Sequence, residues 1–140
     1  MHNYKNLHIW KESIKLAQKI YELTSTFPAN EKYGIVSQMT RAAVSIPSNI
    51  AEGSGRSTPK EFANFLSIAL GSLFELHTQI VICEQIGYFE TETVKQLEIQ
   101  TYSLQQQISA FKQRISNSEA ILQRSGPTAK RSYNEVVNVE

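Results

Sequence analysis

Arg41 to Arg56 runs RAAVSIPSNIAEGSGR, and how this stretch is read decides the fold. As a helix, Arg41, Ser45, Asn49 and Glu52 follow one another at steps of four, four and three, which lines them along one polar face. Met39, Ala43, Ile46 and Ile50 line the neighbouring apolar face. Pro47 has no N–H to offer the carbonyl of Ala43, so the spacing predicts a kinked helix. Gly53 and Gly55 reach positive φ at little cost and are expected to end it. The stretch is therefore a bent helix, with its polar face open to two uses. It can bind a phosphate or RNA backbone near the glycines and Arg56, or its groups can satisfy one another across an interface. Buried polar groups are normally paired, so the second use is preferred for Arg41, Ser45, Asn49, Glu52 and Arg56, with Arg41 expected against a glutamate.

The flanks are helical on both sides. Upstream, Leu7 to Ser25 carries two apolar seams, one through Trp10, Ile14, Ala17, Tyr21 and Thr24, the other through Ile9, Leu16, Ile20, Leu23 and Phe27. Phe27-Pro28 ends that helix, and Asn30 is the expected N-cap of the next. Downstream, Thr58-Pro59-Lys60-Glu61 is a capping box with proline at the first helical position. Phe62, Leu66, Ala69, Leu73, Leu76, Ile80 and Cys83 then keep a 4-3 rhythm, and Leu70, Phe74, His77 and Val81 make a second seam. Gly71 inside this helix suggests close approach of another backbone, and Gly87 ends the helix. A fourth helix is predicted from Thr91 to between Ser118 and Arg124, on Leu97, Thr101, Leu104, Ile108, Phe111 and Ile115. Four amphipathic helices with short connections predict an all-α, antiparallel up-and-down four-helix bundle over 1–124. Residues 125–140, with Gly126-Pro127 and no apolar rhythm, read as a flexible tail. Doubled seams on the first and third helices imply a second burial partner, another copy or a different protein.

A chain of 140 residues with net charge +1 is one domain by length and shows no bulk charge toward any partner. The charge is uneven, however. Residues 1–60 carry eight Lys/Arg against four Glu, and residues 61–140 six against nine. Every acidic residue is Glu, which favours helix and leaves out the commonest ligand of Mg²⁺ and Ca²⁺. Cys83 is the only cysteine, so no intrachain disulfide forms. No signal-peptide pattern opens the chain and no apolar run approaches a membrane span, so the expected location is the cytosol.

Lys11, Lys15 and Lys19, at steps of four, form a basic stripe that Glu12 and Glu22 dilute; Lys112, Arg114 and Arg124, with Lys130 and Arg131, form a second basic group. Both groups are candidate nucleic-acid contacts. The bland readings are a solvated helix face for the first and cations suited to a helix C-terminus for the second. His2, His8 and His77 show no metal-ligand spacing. Cys83 sits on a core seam, and Gly53-Ser54-Gly55-Arg56 follows a helix rather than a strand, without Gly-Lys-Ser/Thr after it. No catalytic pair, cofactor fingerprint or metal set is legible, so no enzyme activity and no cofactor is expected.

Trp10-Lys11-Glu12-Ser13, Ile20-Tyr21 with Phe27-Pro28, Glu31-Lys32-Tyr33-Gly34, Ser45-Ile46-Pro47-Ser48-Asn49-Ile50-Ala51-Glu52-Gly53 and Ala69-Leu70-Gly71-Ser72 occur in an order that resembles the S23 proteins, encoded by intervening sequences of 23S rRNA genes. The resemblance covers about residues 7 to 122. It implies a closed bundle that assembles as a homopentamer. The family is also similar in fold to the accessory variability protein of diversity-generating retroelements, a pentameric bundle that binds a reverse transcriptase and nucleic acid. The expectation is a non-enzymatic, homo-oligomeric scaffold contacting RNA, DNA or an enzyme acting on them, or else a protein–protein adaptor.

Overall fold

The structure, a computed structural model, describes residues 3–125, and the tail expected at 125–140 lies outside them beyond Ser125. Four α-helices carry the chain: α1 (His8–Thr24), α2 (Ile35–Ser54), α3 (Pro59–Gln85) and α4 (Thr91–Ser125). Each packs on its sequence neighbours. The α2–α3 contact is the most extensive, followed by α3–α4, and α1 meets α4 over a shorter length. The result is the antiparallel four-helix bundle that the apolar rhythms predict.

The seams close one core. Ile9, Leu16 and Ile20 of α1, Met39, Ile46 and Ile50 of α2, Phe62, Leu66, Leu76 and Ile80 of α3, and Ile108, Phe111 and Ile115 of α4 are fully buried. Phe62 and Phe111 meet edge to face at 5.6 Å across the α3–α4 contact. At that spacing an aromatic pair adds about 0.5–1.5 kcal/mol beyond its buried area.

The helix ends follow local chemistry. Thr58 accepts from Glu61 N–H at 3.2 Å while Thr58 N–H donates to Glu61 Oε2 at 3.1 Å, completing the capping box. At the far end of α3, Gly87 takes φ +84. Tyr88 N–H then donates to the Cys83 carbonyl at 2.8 Å and Gly87 N–H to that of Glu84 at 3.0 Å, the paired bonds of a Schellman ending. At this end of the bundle the Phe27 ring meets Tyr88 at a tilt and Phe89 edge-on, with ring centres 5.1 and 5.0 Å apart, and Tyr88 Oη donates to Glu31 Oε1 at 2.9 Å. The α1–α2 and α3–α4 connections are thereby tied together.

Three local expectations are corrected. Asn30 does not cap α2: it lies in a short 3-10 turn, Ala29–Glu31, and Gly34 precedes the helix without a side-chain bond. Glu31 Oε2 instead accepts from Ile35 N–H at 3.4 Å, so the extra turn moves the helix start four residues along. α2 does end where these glycines were expected to end it, at Ser54 with Gly55 as the C-cap, but Gly55 has φ −87, and among the described residues only Gly87 takes a positive φ. Gly53 itself stays helical and lies against α3. A Cβ on it would lie 2.6 Å from Phe65 Cβ and 2.7 Å from Phe62 Cδ2. Gly71, expected at a close approach, is exposed with nothing within 4 Å of a Cβ. Its face of α3 turns outward, which helical spacing alone could not tell. The helix itself runs on through Pro47, whose ring is buried.

α3 is long and apolar enough by composition to cross a membrane, which the sequence reading did not foresee. Its Phe62, Leu66, Leu73, Leu76 and Ile80 nevertheless form the middle of the bundle core.

Gly53→Ala should destabilise the fold by about 1–3 kcal/mol through overpacking. Gly71→Ala should be neutral or stabilise by up to about 1 kcal/mol through helix propensity. Urea denaturation of both variants beside the parent chain measures the contrast.

Candidate functional site

The polar face of α2 divides into three parts. In the middle, Asn49 Nδ2 donates to the Ser45 carbonyl at 2.8 Å and to Ser45 Oγ at 3.0 Å. Ser45 Oγ lies 2.8 Å from Ser72 Oγ on α3. With the amide proton arriving from Asn49, the Ser45 hydroxyl is free to donate to Ser72. Toward the C-terminus, Glu52 and Arg56 pair at 2.7 Å, and the Arg56 guanidinium lies over the Phe65 ring at 4.6 Å. Both partners are about half exposed, so this pair is worth under about 1 kcal/mol. At the N-terminal side Arg41 is exposed and takes part in no ion pair among the described residues. The glutamate partner expected for it is absent from that set because its side chain points outward rather than along the α2–α3 seam.

Sequence reasoning missed the α3 half of this seam. Phe65, Ser72 and Gln79 recur every seven residues, which puts them on one stripe of α3. Ser72 and Gln79 are buried on it. Gln79 Nε2 donates to Glu75 Oε1 at 3.3 Å, and its buried Oε1 has no partner. The heptad itself was the available signal, hidden by the stronger apolar rhythm beside it.

Gly53-Ser54-Gly55-Arg56 is no anion cradle. Gly55 N–H and Arg56 N–H donate to the carbonyls of Glu52 and Gly53 at 3.2 and 3.1 Å, and buried Ser54 Oγ donates to that of Ala51 at 2.7 Å. A helix C-terminus also carries the negative end of the dipole. The N-terminus of α3 just beyond is occupied by Thr58 and Glu61.

The basic stripe of α1 is largely spent within the helix: Lys15 pairs with Glu12 at 2.8 Å and Lys19 approaches Glu22 at 3.8 Å, leaving Lys11 exposed outside these pairs. On α4, Arg114 lies 5.6 Å from the Phe111 ring and is exposed, as is Arg124, while Lys112 borders a cleft with Leu70 and Ser116. Lys130 and Arg131 lie outside the described residues.

His77 is partly exposed on the α4 side of α3, with Nε2 3.4 Å from Glu98 Oε1. It therefore stands apart from Arg41 and Glu52 on α2. It lines a groove of about 560 Å³ between α3 and α4, together with Phe74, Ile99 and Tyr102. Cys83 is buried, with Sγ 3.6 Å from Met39 Sδ. Burial, and secondarily the charge of Glu31, push its thiol up from 9.0 to about 11. A thiol so held is neutral and unreactive. The hydrogen bond to Glu31, with burial behind it, raises the Tyr88 phenol in the same direction. No three His, Cys, Asp or Glu side chains gather as a metal set among the described residues.

Fold and seam together define a small antiparallel four-helix-bundle protein whose central polar groups bind one another. The chain belongs to the 23S rRNA-intervening sequence protein family, whose model matches residues 5–110. A crystal structure from Bacteroides thetaiotaomicron VPI-5482, described as a protein with unknown function from the S23 ribosomal protein family, shares the fold with a TM-score of 0.70. The two are 20% identical, over 75% of this chain and 95% of that one. No curated protein matches the chain.

Two outcomes test the internal role of these groups. Ser45→Ala, Ser72→Ala and the double variant should show a coupling of about 0.5–1.5 kcal/mol in a denaturation cycle, while Arg41→Ala stays within about 0.5 kcal/mol of the parent. For Cys83, the thiol is neutral in both states below its unfolded value of 9.0, and between there and about 11 only the unfolded chain ionises. Stability should therefore fall as pH rises through that window, and fall less in Cys83→Ala, as read from urea melts at pH 8 and pH 10.5.

Proposed function

We propose that this chain is a non-enzymatic, homo-oligomeric scaffold of the cytosol, a ring of five copies, that contacts RNA, DNA or an enzyme acting on them such as a reverse transcriptase. The supporting observation is a modest excess of cations at one end of the bundle. An antiparallel topology brings the end of α2, the start of α3 and the latter part of α4 to one end. Arg56, Lys60, Lys112, Arg114 and Arg124 lie toward it, with Glu52, Glu61 and Glu119 among them. Glu22, Glu31, Glu84, Glu90 and Glu92 lie toward the other, with Lys19, Lys32 and Lys95 among them. A ring would repeat the basic end around its axis, and clustered cations that displace counterions are the general means of holding a phosphate backbone.

A second reading, a protein–protein adaptor, draws support from the apolar groove between α3 and α4. The two separate by salt. A fluorescent RNA or DNA oligonucleotide should bind with an affinity that falls as salt rises, and Lys112, Arg114 and Arg124 changed together to Ala should weaken binding and flatten that slope. Absence of binding at low ionic strength rejects the nucleic-acid contact and leaves the adaptor, which should be indifferent to the triple change.

A further inference from the structure

The outer seam between α3 and α4 is a groove that leads to the point where α4 ends. On α4, Glu98, Tyr102, Gln105, Ser109, Lys112 and Ser116 follow one another at steps of four and three, a single stripe on the side of α3. Two clefts lie along it. One of about 560 Å³ is bordered by Phe74 and His77 of α3, the other of about 310 Å³ by Leu70. Gln105 and Ser109 are one turn apart, as are Leu70 and Phe74, so the clefts join end to end. Phe74 is 50% and Tyr102 62% exposed in this groove. From Ser116, α4 continues about 14 Å to Ser125.

Residues 126–140, outside the described residues, read GPTAKRSYNEVVNVE. Gly126-Pro127 suits a reversal of the chain after a helix end. In an extended segment Tyr133, Glu135, Val137 and Val139 share one side, and aromatic and β-branched residues favour that conformation. The reach fits the groove. Back along α4 from Ser125 it is about 20 Å to Lys112 and about 35 Å to Tyr102. An extended chain from Pro127 spans about 26 Å to Glu135 and about 40 Å to Val139. Charge fits in the same register. Glu98 already faces His77 at 3.4 Å, whereas Glu119, Lys112 and Lys95 on this side of α4 stand outside every ion pair among the described residues. Their order along the groove is one anion, then two cations. The order along 128–140 is the inverse, Lys130 and Arg131 first, then Glu135 and Glu140.

We propose that residues 128–140 fold back and lie extended in the α3–α4 groove of their own chain, antiparallel to α4. Val137 and Val139 cover Leu70 and Phe74, Lys130 is directed at Glu119, Glu135 at Lys112 and Glu140 at Lys95. Apolar contact supplies the affinity, and the three charge matches select the register. The docking holds for a single copy as for a ring, and it covers from within the groove on which the adaptor reading leans.

Cysteine cross-linking in the full chain tests the docking. With Cys83→Ala as background, Ser109→Cys and Val137→Cys place one thiol in the groove and one on the segment. Ser103→Cys with Val137→Cys is the control, since Ser103 lines the cleft on the α1 side of α4. Under mild oxidation the groove pair should close within one chain at least about tenfold faster than the control pair. Lys112→Glu should slow that closure about threefold, and Glu135→Lys in the same chain should restore it. The parent chain, carrying no substitution, gives a second readout: Val137 and Val139 methyl groups should show nuclear Overhauser contacts to the side chains of Leu70, Phe74 and Tyr102. Equal closure of the two pairs overturns the docking, as do valine methyls at unfolded-chain shifts without such contacts. Groove cross-links that join two chains instead of closing one overturn self-docking and place the segment in the groove of a second copy.

Discussion

The clearance between α2 and α3 at Gly53 is the constraint on which the rest of the bundle depends. A hydrogen is all that fits there, because the Cβ of Phe65 and the ring of Phe62 occupy the space a methyl would need. Two further features lie along the same contact. Serine hydroxyls, among the shortest polar side chains, reach from Ser45 to Ser72. The Phe62 ring that meets Gly53 on one side meets Phe111 of α4 edge to face. A glycine, a polar link and an aromatic pair thus follow one another along the helices that α3 joins.

Much of this was legible in the order of residues. Apolar recurrence gave four helices and most of the core, and the Thr58–Glu61 box and Gly87 placed both ends of α3, because caps are local chemistry between residues three or four apart. What the sequence concealed was which neighbour each face meets. Gly53 and Gly71 are alike as letters, yet one lies under two phenylalanines and the other in open space. Asn30 has the right chemistry for a cap but falls in a 3-10 turn, four residues before the N-cap position at Gly34. Ser45 and Asn49 share a polar stripe with Arg41, and only the first two turn into the seam. Helical spacing fixes relative angles around one helix; the absolute direction comes from the other three.

The same distinction explains why the polar stretch lost its appearance of a ligand site. The Ser45 hydroxyl and the Asn49 amide nitrogen in its centre are engaged within the chain, and its glycine-rich end exposes the carbonyl end of a helix, electrostatically wrong for an anion. Recognition is left to the outer faces, where charge and apolar area are not consumed internally. The bundle keeps its polar groups for specifying how helices meet and its unspent surface for what comes from outside.

The unequal helix lengths have a mechanical corollary. At 1.5 Å per residue α4 extends about 50 Å, against about 25 Å for the 17 residues of α1. Ser118 is its last buried residue, and the match to the family model ends at residue 110. Beyond Leu122, which still packs half-buried against the core, the last turn of α4 is held mainly by its own backbone ladder. Its amide hydrogens should open to solvent in steps costing far less than global unfolding, giving a gradient of exchange rates along a single helix. α4 is in this sense two objects in series, a staple of the core and a spring beyond it.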